Sequence, residues 1–323
     1  MLRRTFLTAS LAVCALGPMG GAALAQTYPS QPIRFVVPFA AGSATDTLAR
    51  ILAQRLSAAN GWTVVVENMA GASGMIAAQN VARAAPDGYT VFITSNTTHA
   101  SNANMFKKLP YDPVADFAPI GRLGDITLAL ALHPSVPAIN MRELIAYAKA
   151  NPGKLTFGSG SASSRIAGEM LKTMAGINMV HVPYRSNPMA ITDLLGGQIQ
   201  IVFADVSTTL PQIAAGKVKG LGVSSAKRTS LAPDLPTMQE AGVPGYELTA
   251  WFAAFVPAKT PQPIVERLNK ALNDALNVEA VKAALLKVGV EPVTSTPQEL
   301  AAFAEAETKK WAEIVKAAGI EPE

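Results

Sequence analysis

The chain has 323 residues, a formal net charge of +4 and 49% hydrophobic residues, with a single cysteine. This length predicts two domains rather than one. Lysine and arginine form no cluster of the kind found in nucleic-acid-binding proteins, so the composition predicts no nucleic-acid partner.

The first 25 residues have the features of a signal peptide. Arg3 and Arg4 precede an apolar stretch from Leu7 to Leu16, and Ala23-Leu24-Ala25 forms an A-x-A cleavage site. Cleavage would remove two positive charges and lower the net charge from +4 to +2. It would also remove Cys14, which excludes disulfides, thiolate metal sites and a cysteine nucleophile from the mature chain. These features predict a soluble periplasmic protein.

The export route stays open between two alternatives. Arg3-Arg4-Thr5-Phe6-Leu7 resembles the twin-arginine pattern, by which proteins cross the membrane in the folded state. The same residues also suit an ordinary Sec signal that carries two arginines.

After the signal, short apolar runs alternate with helical patterns, which is typical of an α/β fold with largely parallel sheets. We predict strands at residues 33–39, 63–66 and 89–93, helices starting at Thr45 and Ile76, and a polar loop at 94–99.

A second domain is predicted to begin with the apolar stretch 126–132. The elements expected after it are a helix at 141–150, strands at 155–157, 180–184 and 199–203, a short helix at 190–195, a crossing strand at 248–256 and three final helices. Thr296-Pro297-Gln298-Glu299 predicts a capping box for the last helix. The predicted division is residues 26–125 with 250–323 for the first domain and 126–249 for the second.

Two strands end in similar loops of small residues that lead into helices. The first loop is Ala40-Ala41-Gly42-Ser43-Ala44, and the second runs from Gly158 to Ser164. Such a loop presents free backbone N–H groups and the positive end of a helix dipole. Two of them facing each other would bind a small anion, typically a carboxylate, from both sides.

Several other chemistries find no support in the sequence. The chain has no dinucleotide fingerprint, P-loop or G-x-S-x-G nucleophile elbow, and its three histidines lack metal-ligand spacing. We therefore expect no cofactor and no metal. His181 lies in a strand pattern and is interpreted as structural, whereas the role of His99 stays open between structure and ligand binding.

A family resemblance runs through the whole mature chain. The stretch Val37–Asp46 resembles the first ligand loop of the Bug receptors, the periplasmic solute-binding proteins of tripartite tricarboxylate transporters. The resemblance continues through Val66-Glu67-Asn68 with Gly71 and Gly74, and through the stretches 108–113, 181–184, 193–198 and 240–246.

The resemblance implies a two-domain periplasmic-binding-protein (Venus flytrap, type II-like) α/β fold with a ligand cleft between the domains. It also implies a small organic acid ligand held by backbone amides and ordered waters, and membrane permease subunits as partners. We expect a monomer without catalytic activity. The expected ligand-binding residues are Phe39, Ala41, Gly42, Ser43, Ala44, Thr45, Asp46, Ser95, Thr97, Ser159, Gly160, Ser161, Ala162, Ser163, Arg165, Tyr184 and Asp205.

Several of these residues have alternative roles. Arg165 and Arg185 depart from the family pattern, and they would favour a second carboxylate if they face the cleft, or else be surface arginines. Asp46 could cap its helix or contact a ligand through water, and Asp205 could pair with a ligand amino group or cap a turn. Phe39 could cover the ligand or pack in the core.

Two other functions remain open. A sensor that presents its ligand to a signalling partner would use the same fold and cleft. A secreted hydrolase could use Ser159 or Ser161, although the sequence indicates no partnered base for either serine.

Overall fold

The computed structural model of the protein describes residues 28–322, so the predicted signal peptide lies outside the described residues. Ten strands and ten α-helices form within this range. The strands are β1 (Ile33–Val37), β2 (Val64–Asn68), β3 (Thr90–Ser95), β4 (Phe117–Leu132), β5 (Leu155–Ser159), β6 (Met179–Pro183), β7 (Ile201–Asp205), β8 (Lys219–Val223), β9 (Thr249–Pro257) and β10 (Val290–Pro292). The helices are α1 (Ala44–Asn60), α2 (Met75–Ala82), α3 (Asn102–Met105), α4 (Met141–Ala150), α5 (Ala162–Ala175), α6 (Asn187–Leu195), α7 (Val206–Ala214), α8 (Gln262–Leu276), α9 (Glu279–Lys287) and α10 (Pro297–Ala317).

Local sequence signals set the ends of the main helices. The Ser43 and Ser161 hydroxyls accept the backbone N–H groups at the third position of α1 and α5, which satisfies one of the unpaired donors at each N-terminus. Both helices end at a glycine with a left-handed backbone, Gly61 (φ 68°) and Gly176 (φ 62°). The predicted capping box of α10 is confirmed, with Thr296 and Glu299 bonding each other's backbone N–H.

The strands form one mixed sheet in the order β2-β1-β3-β9-β4-β7-β5-β6, with β8 and β10 paired to β4. The strands β2, β1 and β3 are parallel to one another, and so are β7, β5 and β6. Between these two parallel groups, β9 and β4 run antiparallel to each other and to their outer neighbours. The sheet therefore has two parallel halves joined through an antiparallel centre.

The long strand β4 passes from one half to the other. Its residues 117–127 pair with β9, its residues 128–132 pair with β7, and its residues 129–132 also pair with β8. The apolar stretch 126–132, predicted to begin the second domain, is the second part of this strand, which starts at Phe117. Register shifts between Pro119 and Gly121 and between Arg122 and Gly124 interrupt the alternating pattern of its first part. The predicted crossing strand at 248–256 is confirmed as β9. The exact domain division stays a prediction.

The predicted polar loop at 94–99 was wrong in part. Strand β3 continues to Ser95, and a π-helical turn over Thr97–Ser101 leads into α3. The polar side chains here are buried, and several bond one another, as in the 2.7 Å contact between the Thr94 and Thr98 hydroxyls. His99 stacks on Phe255 at 3.7 Å between ring centroids, and burial lowers its pKa to about 3. We therefore interpret His99 as a neutral core residue.

Apolar faces of the helices cover both sides of the sheet. The largest fully buried side chains include Trp251 on β9, Trp311 on α10 and Phe157 on β5. Among residues 28–322, no helix is long and apolar enough to cross a bilayer. The carboxyl ends of β1 and β3 in one half, and of β5 and β7 in the other, lead into the loops that form the cleft. In open α/β sheets this is the edge where ligands bind.

Candidate ligand-binding site

The N-termini of α1 and α5 contribute backbone donors from opposite halves of the sheet. In each helix the capping serine accepts the third N–H, so the first two remain without an intrahelical partner. These are the N–H groups of Ala44 and Thr45 in α1 and of Ala162 and Ser163 in α5. The hydrogen bonds found among residues 28–322 leave all four available.

Both N-termini line one small cavity, which we call the inner recess. It has a volume of about 20 Å³, which is room for about one water-sized group. Its lining residues are Phe39, Ser43, Thr45, Ser95, Gly160, Ser161, Ser163, Asn187, Asp205, Ala250 and Phe252. The recess thus lies between the loops after β1 and β5, against the central strand β9.

A larger cavity, the outer cavity, adjoins the recess at Gly160 and Ser161, which line both. Its volume of about 500 Å³ is typical of small-molecule sites. The lining residues are Ala72, Ser73, Met75, Met105, Phe106, Ser159, Gly160, Ser161, Ala162, Arg165, His181, Pro183, Tyr184 and Arg185. Two of them are arginines and none is acidic, so this cavity favours anions.

Asn96 connects the two halves beside the recess. Its amide lies between β3 and the π-helical turn, is fully buried, and donates to Ser163 Oγ at 2.9 Å. Its Oδ1 accepts the backbone N–H of Trp251 on β9 at 3.4 Å. One amide therefore contacts the first half, the N-terminus of α5 and the central strand.

Asn187, a residue that the sequence analysis missed, organises the loop after β5. Its Oδ1 accepts the N–H of Gly160 at 3.0 Å, and its Nδ2 donates to Asp205 Oδ2 at 3.3 Å. The N–H of Gly160 is therefore already bonded within the protein, although Gly160 lines both cavities. Burial raises the pKa of Asp205 to about 6, against which the Asn187 hydrogen bond has only a partial effect.

Asp46 does not cap α1, because the capping residue is Ser43 and Asp46 lies at the third helical position. Its carboxylate accepts hydrogen bonds from Gly42 N and Asn68 Nδ2, both at 2.9 Å, and pairs with Arg50. Burial alone would raise the pKa of Asp46, but these bonds outweigh burial and hold the pKa below its ordinary value. Asp46 thus fixes the shape of the first loop.

The outer cavity contains a serine–histidine pair that the sequence did not indicate. Ser159 Oγ lies 2.7 Å from His181 Nε2, and the imidazole packs on Phe157 at 5.0 Å between centroids. Phe157 and His181 are register partners on β5 and β6, and Ser159 lies two residues after Phe157 on the same face of β5. Tyr184 also lines this cavity, and its hydroxyl donates to Asp193 at 2.8 Å.

Most of the predicted ligand-binding residues line one of the two cavities. The exceptions are Ala41 and Gly42, which are exposed, and Ala44, Asp46 and Thr97, which are buried outside both linings. The contribution of Ala72, Ser73 and Met75 was missed. The loop from Gly71 to Gly74 is also a run of small residues between a strand and a helix, and this signal could have found them. Residues 28–322 contain no cluster of three or more His, Cys, Asp or Glu residues that could hold a metal ion.

A family model and a related protein place the chain in the same family. The model of the TctC family, described as the tripartite tricarboxylate transporter family receptor, matches residues 48–320. Protein BugT of Bordetella pertussis is 35% identical over 300 residues, which cover 91% of each chain.

Two solved structures are similar over nearly the whole chain. The Rhodopseudomonas palustris protein Rpa4515 with adipate has a TM-score of 0.89 and 35% identity, over 92% of this chain and all of its own. The periplasmic binding protein BugD has a TM-score of 0.87 and 36% identity, with the same two coverages. The predicted two-domain α/β fold of periplasmic binding proteins is confirmed.

Proposed function

The chain belongs to the TctC family of tripartite tricarboxylate transporter receptors, and we propose that it captures a small carboxylate ligand in the periplasm and delivers it to such a transporter's membrane permease. The bound ligand lies in the cleft between the two halves. The permease recognises the closed, ligand-loaded form of the receptor. The receptor acts as a monomer.

The observation that carries this proposal is the inner recess between the N-termini of α1 and α5. Thr45 and Ser163, whose N–H groups are available, lie in its lining on opposite halves, each at the positive end of a helix. The available N–H groups of Ala44 and Ala162 are next to them in sequence. A carboxylate is larger than one water, so its entry requires the halves to separate slightly at the recess. Strands β4 and β9 connect the halves and allow this hinge motion.

The outer cavity supports a ligand with a second anionic group. Arg165 and Arg185 line it, and a guanidinium can bind a carboxylate through two parallel hydrogen bonds. The related structure of Rpa4515 contains adipate, a molecule with two carboxylates. We propose that the first carboxylate occupies the recess and that the rest of the ligand extends into the outer cavity.

The proposal includes no catalytic step. The Ser159–His181 contact resembles a nucleophile and its base, but a hydrolase also needs N–H donors for the oxyanion. The N–H following Ser159 belongs to Gly160 and already donates to Asn187. We therefore interpret the contact as one that orients His181 in the wall of the outer cavity.

A thermal-shift screen tests the ligand class. We expect mono- and dicarboxylates to raise the melting temperature and their uncharged amides to have a smaller effect. At a hundredfold excess over Kd the stabilisation is about 2.7 kcal/mol, which corresponds to a shift of several degrees. A screen in which neutral amides or cationic polyamines stabilise the protein most would contradict the proposal.

Uptake measurements separate transport from sensing. In the native host, deletion of this gene should abolish uptake of the acid that the screen identifies. Unchanged uptake, together with loss of a transcriptional response to that acid, would support a sensor instead.

A further inference from the structure

The inner recess combines many hydrogen-bond donors with one carboxylate. The helix N-termini and the hydroxyls of Ser43 and Ser161 can all donate, since both hydroxyls already accept a backbone N–H. Asp205 is the one ionisable side chain in the described lining of the recess. A site meant only for a carboxylate has no need of a second negative charge.

The carboxylate of Asp205 is not used to stabilise its own helix. Asp205 ends β7 and occupies the N-cap position of α7, where an aspartate side chain ordinarily accepts an N–H of the first turn. No such capping bond forms here. Apart from its own backbone N–H, the partner that the described residues offer is Asn187, at 3.3 Å.

Asp205 is half-buried, and its carboxylate has few hydrogen-bond donors around it. Burial raises its pKa to about 6, so the group is charged at neutral pH, with Asn187 and its own backbone N–H as its partners. A bound carboxylate in the same recess would repel this charge. A hydroxyl or ammonium group on the ligand would give Asp205 a hydrogen-bond donor, and that bond would offset the repulsion between the two carboxylates.

On the basis of the proposed function, we infer that Asp205 makes this receptor selective for acids that carry a hydroxyl or amino group on the carbon next to the bound carboxylate. The recess is so small that the group bound by the helix N-termini and the group facing Asp205 must be close together in the ligand. Ligands of this class are 2-hydroxy and 2-amino acids.

Calorimetric titration at pH 7.5 with matched acids tests this selectivity. The pairs are lactate and propionate, malate and succinate, and mandelate and phenylacetate, which differ only in the 2-hydroxyl; aspartate is compared with succinate for the amino group. For the pair whose remaining structure fits the outer cavity, we expect the donor-bearing acid to bind roughly ten- to a hundredfold more tightly, as for one hydrogen bond to a charged group.

The variant Asp205→Asn keeps the shape of the side chain and removes its charge. It should bind the 2-hydroxy or 2-amino acid more weakly, and the unsubstituted acid more tightly, than the wild type does. Both changes reduce the ratio of the two affinities. Asp274→Asn is the matched control, since Asp274 is exposed on α8 and pairs with Lys270. Circular dichroism checks the fold, and the wild-type preference tests the inference even if the variant fails to fold.

The outcomes separate this inference from the proposed function. Equal wild-type affinities within the pair that binds would overturn the selectivity and leave carboxylate capture intact. If other carboxylates bind but none of these 2-hydroxy or 2-amino acids does, the selectivity is likewise overturned and carboxylate capture is left intact. If no carboxylate binds at all, both the inference and the proposed function are wrong.

Discussion

Gly160 is the residue on which the second ligand loop depends most. Its Cα lies so close to the neighbouring chain that an added Cβ would be 1.8 Å from the carbonyl carbon of Ser186 and 2.1 Å from the backbone N of Asn187. Both obstacles are backbone atoms and cannot rotate away. This close approach also lets Asn187 bond both Gly160 and Asp205, so the two loops are built as one unit.

We expect Gly160→Ala to lower the free energy of unfolding by about 1–3 kcal/mol or more, because one of the two loops must move. Gly196→Ala is the matched control, since its φ is −80° and its nearest neighbour would be 3.6 Å from the new Cβ. Urea unfolding followed by circular dichroism measures both. Equal stability of the two variants would contradict the packing argument.

At the scale of residues, the amino-acid composition of the loops was the signal that predicted which residues line the site. Runs of small residues after β1 and β5 indicated Ser43, Thr45, Ser161 and Ser163, all of which line the recess. Asn187 and Phe252 could not be predicted in this way, because their roles depend on the approach of distant chain segments. Of the two roles left open for Asp46, the helix cap was wrong for a related reason: Asn68 and Arg50, which bind its carboxylate, become its partners only through the local fold.

At the scale of elements, a buried glutamate fixes α10 to the central strand β9. Glu307 Oε2 accepts the indole N–H of Trp251 on β9 and of Trp311 on α10, each at 2.9 Å. Both indoles are buried. The last helix therefore braces the strand that connects the two halves.

We predict that Glu307→Ala lowers the free energy of unfolding by about 2–6 kcal/mol, because it leaves two buried indole donors without an acceptor. Glu305→Ala on the same helix is the control. Its side chain is exposed and pairs only with Lys309, so its loss should cost less than about 1 kcal/mol. Urea titration compares the two, and similar losses would show that Glu307 does not brace β9.

The sequence predicted best those helices whose ends are marked by residues close by in the chain. The helix at 141–150 and the capping box of α10 are confirmed because they depend on residues within one turn. Strands β8 and β10 and helix α7 were missed. Two of them show why: β10 has only three residues, and α7 contains Pro211, which normally argues against a helix interior.

At the scale of the whole molecule, the central claim is that both halves hold one carboxylate through helix N-termini. The alternating pattern of strands and helices was sufficient to predict the α/β class, and the two similar loops were sufficient to predict where the halves face each other. The joining of the halves through β4 was not predictable, because bulges conceal the first part of that strand.

Proline at the first helical position tests the central claim most directly, because it removes one N–H and leaves the helix intact. Ala44 and Ala162 occupy this position in α1 and α5, and each follows a serine with the extended backbone that precedes proline well. Helix α10 already begins with Pro297. Glu279→Pro at the start of α9, outside both cavities, is the control.

The measurement is calorimetric titration of the best acid from the screen against these three variants, with circular dichroism confirming their fold. Ala44→Pro and Ala162→Pro should each weaken binding roughly ten- to a hundredfold, since each loses one charge-assisted hydrogen bond of about 1.5–3 kcal/mol. Glu279→Pro should bind as the wild type does. Wild-type affinity in both cleft variants would mean that the two helix N-termini do not hold the carboxylate.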